Sequence, residues 1–438
     1  MSRSLLLAAG RVIDPSTNTD EVRDVLVEDG RIAAVARGIA GPDGVPRVSA
    51  EGLVVAPGLI DVHVHLREPG AEHKETIRTG AQAAAAGGFT TIWAMPNTDP
   101  PLDDPAAVGF VREEARRWAR KGQGGARVSP VGAASPGLAG ERMTEIGGLV
   151  EAGAVAVTDD GHPIRDSALM RRLLEYTQSF GIPVLQHAED MALSAGGVMN
   201  EGAVATALGL RGIPNASEST VVARDIYLAE LTGGHVHIQH VSTREAVELI
   251  RLARERGTRV SGEATPHHIA LTEEAVRGYR TEAKMNPPLR SETDRLAVRQ
   301  GLIDGVLACV ATDHAPHHYE EKEREFDDAP FGIVGLETAL AVCIDELVTP
   351  GDLTLSGLIE RMSTAPARTM GIDGGTLRPG SPADIVVFDP ESRWTVDAAS
   401  FRSRSRNTPF GGWDVKGRVR RTIVAGEIRY DSGDWERS

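Results

Sequence analysis

Apolar, β-rich segments alternate with amphipathic or alanine-rich segments throughout the middle of this chain. The alternation predicts eight strands, at residues 53–66, 89–96, 126–134, 154–158, 183–188, 235–241, 259–265 and 306–313. Helical periodicity lies between several of them, most clearly at residues 75–86, 105–120 and 243–256. Eight β-then-α units are typical of an α/β fold, either a (β/α)8 TIM barrel or a doubly wound parallel sheet.

The two ends of the chain are rich in strands and lack these helical units. Residues 25–35 predict two strands about a turn at Asp29 and Gly30, and residues 417–430 predict two more about Ala425 and Gly426. We expect the terminal segments to come together as a small β-sandwich domain beside the larger α/β domain. The predicted boundaries are 1–55 and 370–438 for the sandwich and 56–369 for the larger domain.

Side chains of ligand type lie where the predicted strands end. His63 and His65, two apart on an apolar strand, project from the same face. Four other strand ends carry Asp159-Asp160, Gln186-His187, Gln239-His240 and Thr312-Asp313-His314. In a barrel these ends surround one mouth, and buried ionisable groups are costly unless they are paired or bound to a metal. The pattern therefore favours the barrel and predicts a site for zinc or a similar divalent ion.

The overall charge restricts the class of partner. The chain has 438 residues, a net charge of -15 and a pI near 5.4, which argues against nucleic acid or an anionic membrane surface. No stretch of the sequence is long and apolar enough to span a bilayer. The two cysteines, Cys309 and Cys343, form no disulfide framework and suit a reducing compartment, so we expect a cytoplasmic protein acting on a small molecule.

Two segments closely resemble the two signatures of the dihydroorotase family. They are Asp-Val-His-Val-His-Leu-Arg-Glu-Pro-Gly at residues 61–70 and Ala-Thr-Asp-His-Ala-Pro-His at residues 311–317. The resemblance is to the bacterial-type, class I branch within the metal-dependent amidohydrolase superfamily. It covers nearly the whole chain, including residues 95–98, 159–161, 186–189, 239–242, 265–268 and 284–288.

This resemblance implies two zinc ions per chain. The implied ligands are His63, His65 and Asp313 for one ion and His187 and His240 for the other, with Asp160 and a hydroxide bridging the two. Many relatives use a carbamylated lysine as the bridge, but predicted strand four contains no lysine, so an aspartate must serve. Periodicity alone leaves both Asp159 and Asp160 open, and the family pattern favours Asp160.

The resemblance also implies the reaction. A dihydroorotase interconverts N-carbamoyl-L-aspartate and L-dihydroorotate plus water, a step of de novo pyrimidine (UMP) biosynthesis. In the hydrolytic direction the metal-bridging hydroxide is the nucleophile, because zinc lowers the pKa of a bound water to about 7. Asp313, a ligand next to that hydroxide, is expected to act as the general acid and base.

Substrate recognition requires a local cation in so acidic a protein. Arg67 stands two residues after the His63 and His65 pair, where its planar guanidinium could bind both oxygens of a carboxylate. An asparagine suits an amide ring because it both donates and accepts hydrogen bonds. By resemblance, the full set of substrate contacts is His65, Arg67, Asn97, Asn286, His317 and the backbone of Phe331 and Gly332.

The other conspicuous residues receive structural roles. We expect His267 and His268 to orient other side chains and His314 to point away from Asp313. The charged run at residues 319–325 predicts a solvated loop face. The long connections at residues 190–217 and 319–335 are candidate lids. Four further histidines are expected to be structural: His162, His235, His237 and His318.

Three functions compete at this point. The first is dihydroorotase, and the second is another cyclic amide hydrolase, an allantoinase or a hydantoinase. Allantoinases and hydantoinases usually have the bridging lysine, and neither enzyme needs an arginine after the histidine pair. The third is a non-catalytic partner of aspartate carbamoyltransferase, which should have lost ligands, whereas all six are present here. A complex of an active chain with that transferase stays open, as does a homo-oligomer.

Overall fold

The structure, a computed structural model, describes residues 4–433. Residues 1–3 and 434–438 of the predicted terminal segments lie outside the described residues. The strands are β1 (Leu5–Asp14), β2 (Thr19–Glu28), β3 (Arg31–Ala36), β4 (Arg47–Ser49), β5 (Val54–Pro57), β6 (Leu59–Val64), β7 (Phe89–Ala94), β8 (Arg127–Pro130), β9 (Gly132–Ala133), β10 (Val157–Thr158), β11 (Val184–Gln186), β12 (Met199–Asn200), β13 (Gly212–Ile213), β14 (Val236–Ile238), β15 (Val260–Ala264), β16 (Cys309–Val310), β17 (Ile385–Thr395), β18 (Asp414–Val424) and β19 (Glu427–Asp431).

The helices follow the barrel strands, as the periodicity predicts. They are α1 (Ile77–Ala86), α2 (Pro105–Arg120), α3 (Ile146–Ala152), α4 (Ser167–Thr177), α5 (Ala203–Leu208), α6 (Ala216–Thr232), α7 (Arg244–Glu255), α8 (Pro266–Ala270), α9 (Glu292–Ile303), α10 (Tyr319–Lys322), α11 (Ala339–Cys343), α12 (Leu355–Ile359) and α13 (Ala365–Met370). Several begin at a residue whose side chain accepts a hydrogen bond from the first turn, such as Thr76 before α1, Asp104 before α2 and Thr243 before α7. None of the helices in residues 4–433 is long and apolar enough to cross a membrane.

Eight consecutive parallel strand positions form the barrel. β6, β7 and β8 pair in that order, and β9, β10, β11, β14, β15 and β16 pair as the second run. β8 and β9 are one stretch of chain interrupted at Val131, so they occupy a single position in the barrel. A parallel bridge between Val64 and His314 closes the ring, supported by the His65 N–H donating to His314 O at 2.9 Å. The predicted barrel is confirmed.

The two ends of the chain combine into one sheet. Its strand order is β19-β18-β17-β5-β1-β2-β3, with β4 paired to β1. The antiparallel pairing of β17 with β5 joins the C-terminal strands to the N-terminal ones. The predicted turns are present, since Asp29 and Gly30, like Ala425 and Gly426, have the positive φ angles that a tight hairpin turn requires. The predicted association of the termini is therefore confirmed, in the form of one continuous sheet.

Alternate side chains of β5 point to opposite faces of the terminal sheet, and one of these faces packs on the barrel. Val54 and Ala56 of β5 belong to the core cluster that contains the barrel residue Phe89. The intervening Val55 faces a second cluster, with Leu7 and the rest of the sheet's opposite face. Because the side-chain period of a strand is two, one short strand contributes to both cores. The sheet therefore has a fixed position against the barrel.

Two predictions need correction. The predicted strand 53–66 is two strands, β5 in the terminal sheet and β6 in the barrel. They separate at Gly58, where an added Cβ would lie 2.2 Å from the Thr90 side chain. The predicted solvated run at residues 319–325 contains α10, and its Lys322 is buried at 4% exposure. The Lys322 ammonium donates to the carbonyls of Pro330 and Gly332 at 2.9 and 3.1 Å, which explains why this charged side chain lies inside.

Candidate active site

Six side chains that the sequence predicts as metal ligands converge at one mouth of the barrel. They end or follow strands β6, β10, β11, β14 and β16, and each is at most 5% exposed: His63, His65, Asp160, His187, His240 and Asp313. His240 and Asp313 have positive φ angles of 31° and 47°. Such strained backbone is found where the surroundings over-determine a conformation, and it is concentrated at functional sites.

The nitrogen and oxygen atoms of these side chains lie around a common centre, and Asp160 lies between two pairs of histidines. Asp160 Oδ1 is 3.4 Å from His63 Nε2, and Asp160 Oδ2 is 3.4 Å from His65 Nε2. Asp160 Oδ1 is also 3.8 Å from both His187 Nδ1 and His240 Nε2. Three overlapping groups have their ligand atoms within 4.8 Å of one another: His63, His65 and Asp160; Asp160, His187 and His240; and His63, His240 and Asp313.

Two buried atoms at this centre lack the hydrogen bonds that such groups normally make. His63 Nε2 and Asp160 Oδ1 have no hydrogen-bond partner among the described residues, and an unsatisfied buried polar atom is uncommon and costly. His187 Nδ1 and His240 Nε2 face each other at 2.9 Å. Imidazole nitrogens and carboxylate oxygens directed at one point are the donor set of a divalent metal such as zinc. The residues present therefore fit a metal.

The outward-facing ring nitrogens of three histidines have their own acceptors. Each acceptor receives a hydrogen bond from the protonated ring nitrogen. The other ring nitrogen, which faces the centre, then has a free lone pair, as metal-binding histidines require. The pairs are His63 Nδ1 with Glu263 Oε1 (2.6 Å), His65 Nδ1 with Asn97 Oδ1 (2.8 Å), and His187 Nε2 with Glu189 Oε2 (3.0 Å).

The carboxylates of the site are ionised at neutral pH. Burial alone would raise the pKa of Asp313, but the neighbouring histidines, His63 foremost, lower it to about 2. The pKa of Asp160 lies well below its ordinary value, because its interactions with His63 and other histidines outweigh burial. Burial opposes protonation of His63, yet the charges of Asp160, Asp313 and Glu263 raise its pKa well above the usual range. This concentration of negative charge favours a bound cation.

A cavity of about 340 Å³ opens above the cluster, and its size suits a small ring. Five of the six predicted metal ligands line it, whereas His63 lies behind them. All seven predicted substrate contacts also line it: His65, Arg67, Asn97, Asn286, His317, Phe331 and Gly332. The structure thus brings the predicted ligands and the predicted substrate contacts to one pocket.

One corner of the pocket is cationic. The Arg67 Nε donates to Pro316 O at 3.2 Å, which leaves the far end of the guanidinium near His317 Nε2 at 3.5 Å. Lys74 Nζ lies 3.4 Å from His317 Nδ1. Burial, together with Arg67, Lys74 and Lys322, lowers the pKa of His317 far below its ordinary value, so this ring is neutral. A carboxylate in this corner would meet a fixed positive charge on Arg67 and a neutral ring.

The two asparagines of the pocket also contact residues of the cluster. Asn97 Oδ1 accepts a hydrogen bond from His65 Nδ1, as described above, and Asn97 lines the pocket. Asn286 Nδ2 donates to Glu189 Oε2 at 3.0 Å, the same carboxylate oxygen that accepts from His187. Each asparagine is thereby held in one orientation, and both line the pocket beside the histidines.

The choice between the two adjacent aspartates is visible in the geometry. Asp159 turns away from the cluster, and its carboxylate accepts hydrogen bonds from the Ser135 backbone N–H at 2.9 Å and from the Ser135 hydroxyl at 2.5 Å. Asp160 faces the histidines. The two residues follow the end of β10, and their carboxylates point in different directions, so Asp160 alone of the pair joins the histidines of the cluster.

The remaining histidines lie outside the cluster or support it. His314 points away from Asp313 and bonds Glu75 Oε2 at 3.3 Å. His268 Nε2 donates to Pro287 O at 3.0 Å and so holds the loop that carries Asn286. His237 contacts Ser261 and Glu263, and His235 contacts Ser261. His162 is exposed, and His318 is half-buried.

Comparison with known proteins assigns the family. Residues 52–246 match the family model described as Dihydro-orotase-like, and residues 333–430 match that of the Amidohydrolase family. A protein named Dihydroorotase from Geobacter metallireducens is 52% identical over 427 residues, which are 98% of this chain and 99% of that protein. One of the same name from Syntrophotalea carbinolica is 52% identical over 430 residues, covering 98% of this chain and 100% of that protein. The chain belongs to the dihydroorotase family.

Solved structures of the wider superfamily share the fold of this member of the dihydroorotase family. An L-hydantoinase (dihydropyrimidinase) from Arthrobacter aurescens superimposes with a TM-score of 0.88 at 27% identity, covering 99% of this chain and 97% of that one. A dihydropyrimidinase from Brevibacillus agri gives 0.83 at 25% identity, covering 97% and 94%. This chain therefore shares its overall architecture with these two enzymes.

Three carboxylates that support the site were not predicted. Glu263 bonds His63 and His237, Glu189 bonds His187, and Glu75 bonds His314. Glu263 could have been noticed, because it is a charged residue inside the predicted barrel strand 259–265, and buried charges are rarely unpaired. Glu189 lies in the family segment 186–189, whereas nothing in the local pattern marks Glu75.

Proposed function

We propose that this chain is a dihydroorotase, a cyclic amide hydrolase that interconverts L-dihydroorotate and N-carbamoyl-L-aspartate in pyrimidine biosynthesis. The observation that carries the proposal is the juxtaposition of a histidine and aspartate cluster with Arg67 in one cavity of about 340 Å³. The relatives at 52% identity over nearly the full chain, named Dihydroorotase, support the same substrate.

We propose that the cluster holds two zinc ions, with Asp160 between them. The two groups that share Asp160 each supply two histidines, which is the composition that a bridged pair of metals needs. When bound, two such ions would lower the pKa of a bound water and polarise the ring carbonyl. The unpartnered atoms His63 Nε2 and Asp160 Oδ1 are the observations that support occupancy by metal.

The protein's own residues supply proton transfer and binding. Asp313 is ionised at neutral pH, so its carboxylate can accept a proton from the attacking water and deliver it to the amide nitrogen as the ring C–N bond breaks. Arg67 binds the substrate carboxylate, and His317 contacts it as a neutral ring. Asn97 and Asn286 bind the ring amides, while the backbone of Phe331 and Gly332 borders the ring.

The competing functions differ in the ring that they open. The hydantoinases that share the fold are 24% to 27% identical to this chain, well below the 52% of the relatives named Dihydroorotase. Asp160 stands where many superfamily members have a carbamylated lysine, and Arg67 provides for a carboxylate that hydantoin lacks. Both features favour dihydroorotate as the substrate.

Turnover of three rings by one purified sample tests the assignment. Dihydroorotate, hydantoin and allantoin are incubated side by side with the zinc-loaded protein, and opening of each ring is followed at equal concentration. We expect turnover of dihydroorotate and at most a small fraction of that rate with the other two. Preferential opening of hydantoin or allantoin, or no turnover of any ring by folded, metal-loaded protein, would contradict the proposal.

Two properties of the protein in the cell stay predictions. The cytoplasmic location rests on the two cysteines, Cys309 and Cys343, which are buried and free. The molar mass in solution, measured with and without aspartate carbamoyltransferase, would show whether the chain associates with that transferase or with further copies of itself.

A further inference from the structure

A segment of the C-terminal domain reaches across to the barrel mouth. Residues 401–413, here called the bridging segment, connect β17 to β18 and thus lie outside the eight barrel units. Several of their hydrogen bonds, however, reach the barrel. The hydroxyl of Ser403 donates to Glu75 Oε2, and Ser405 Oγ donates to Lys74 O at 2.8 Å. The bridging segment is therefore anchored on the chain that follows the His63 and His65 strand.

Asn407 of the bridging segment makes four hydrogen bonds to the two loops that form one wall of the pocket. Its side chain is 5% exposed. Asn407 Nδ2 donates to Ala315 O and Gly332 O, both at 3.0 Å, and Asn407 Oδ1 accepts from the His317 backbone N–H at 3.1 Å. The Asn407 backbone carbonyl accepts from the Val334 N–H at 2.9 Å.

Only one orientation of this amide is compatible with its surroundings. Both protons of the Asn407 amide nitrogen point at carbonyl oxygens, and the amide oxygen meets an N–H. A rotated amide would place an oxygen against the carbonyls of Ala315 and Gly332 and a nitrogen against the N–H of His317. The amide therefore fits the two loops at one relative position, and a shift of either loop would leave a buried polar group unpaired.

The two groups that Asn407 joins are both expected substrate contacts, and they also touch each other. A Cβ placed on Gly332 would lie 3.0 Å from His317 Nε2 and 2.7 Å from Ala315 O, so Gly332 packs directly against the His317 ring. Gly332 O accepts a second bond from Lys322 Nζ at 3.1 Å. The separation of the His317 ring and the Gly332 backbone, and hence the width of the pocket here, depends on these bonds.

We propose that Asn407 is a positioning residue for the active site: it holds His317 and Gly332 at the spacing that binds the substrate. The proposal rests on the proposed function, because both residues are assigned there as substrate contacts. It makes the small terminal domain a part of the substrate site, since the decisive amide comes from outside the barrel. The Asn407 side chain bonds His317, Ala315 and Gly332, none of which is among the six cluster residues, so its effect should fall on substrate binding.

Asn407→Asp and Asn407→Ala separate positioning from folding. Asp has the same shape but presents an oxygen to the two carbonyls, and Ala removes all three side-chain bonds. For the zinc-loaded protein we expect KM for dihydroorotate to rise about tenfold or more in both variants, with kcat changed by less than about threefold, because misplaced contacts weaken binding. Bound zinc and the melting temperature are measured on the same samples.

The Asp variant adds a pH profile that a purely structural role would not produce. Burial beside two carbonyls raises the pKa of the introduced carboxyl group, and the Lys322 ammonium, which bonds the same Gly332 O, opposes this shift only in part because it is shared with the Pro330 carbonyl. The protonated carboxyl group can donate to one of the two carbonyls. The KM ratio of variant to wild type should therefore fall as the pH is lowered from 8 to 6, by about threefold or more. The Ala variant, which has no titratable group at this position, should show a flat KM ratio.

Thr408→Val is the matched control. Thr408 is the next residue of the bridging segment and is buried at 6% exposure, and its hydroxyl accepts from the Phe410 N–H within the segment. This variant should keep the wild-type KM. Wild-type KM in folded Asn407 variants, an equal rise in Thr408→Val, or loss of fold in both Asn407 variants would overturn the proposal. Failure of the proposed function would instead appear as absence of dihydroorotate turnover in the wild-type protein.

Discussion

Glu263 is the residue through which the metal affinity of the cluster can be altered without touching a ligand. Its Oε1 accepts from His63 Nδ1 at 2.6 Å and from the His240 backbone N–H at 3.1 Å, and its Oε2 accepts from His237 Nε2 at 3.0 Å. Glu263→Gln keeps the shape of this buried side chain. It removes the negative charge and replaces one acceptor oxygen with a donor.

The size of the effect follows from these contacts. The glutamine oxygen can take the place of Oε1, and its amide nitrogen can face His237, because His237 Nδ1 can then donate to Ser261 Oγ at 2.7 Å. The substitution removes the negative charge of the oxygen that accepts hydrogen bonds from His63 Nδ1 and the His240 N–H. A bond to a charged group is worth roughly 1 kcal/mol more than a neutral one, so two bonds amount to about 2 kcal/mol. At 1.4 kcal/mol per factor of ten, zinc should bind about 30-fold more weakly.

Competition with a chromophoric chelator measures the zinc affinity of Glu263→Gln and of wild type. Glu113→Gln is the matched control, since Glu113 lies on the exposed face of α2, paired with Arg116 at 2.8 Å and remote from the cluster. That control should bind zinc as wild type does. If folded Glu263→Gln bound zinc within about threefold of wild type, the reasoning that Glu263 orients and charges His63 would be refuted.

Three further outcomes follow from the site. Asp313→Asn keeps an oxygen ligand but removes the proton acceptor, so kcat should fall by about a hundredfold or more with a smaller change in zinc content, and normal turnover would reduce Asp313 to a ligand. Arg67→Lys loses the two-pronged geometry, so KM for dihydroorotate should rise while affinity for dihydrouracil, the ring without the carboxylate, is nearly unchanged; equal losses would mean that Arg67 supports the fold. Hydrogen exchange should show residues 190–217 or 319–335 gaining protection when dihydroorotate binds, and unchanged exchange in both would exclude a lid.

The fold was predictable because its signal is periodic and local. Helices α1, α2 and α7 lie within two residues of the predicted ranges 75–86, 105–120 and 243–256. Apolar runs ending in polar residues marked the barrel strands, since a barrel strand is buried on both faces until it reaches the mouth. The division of residues 53–66 between two sheets was not predictable, because nothing in an apolar run states which neighbour a strand will pair with.

The cluster was predictable from the sequence, and most of its supporting contacts were not. The histidines and aspartates stand at strand ends, and a barrel brings all such ends together. Lys322 and Asn407 are different, because their partners are backbone groups of loops that the tertiary fold brings near. Asn407 contacts Ala315 across 92 positions in sequence. The local sequence pattern does not indicate such a contact. A charged or polar residue in a predicted loop is instead expected to be exposed.

The stoichiometry of zinc that restores activity tests the central claim most directly. Protein stripped of metal by a chelator is titrated with zinc, and opening of dihydroorotate and closure of N-carbamoyl-L-aspartate are measured at each addition. The account predicts no activity without metal and a plateau in both directions at about two zinc ions per chain. Full activity in the metal-free protein, or zinc binding that restores neither direction, would contradict it.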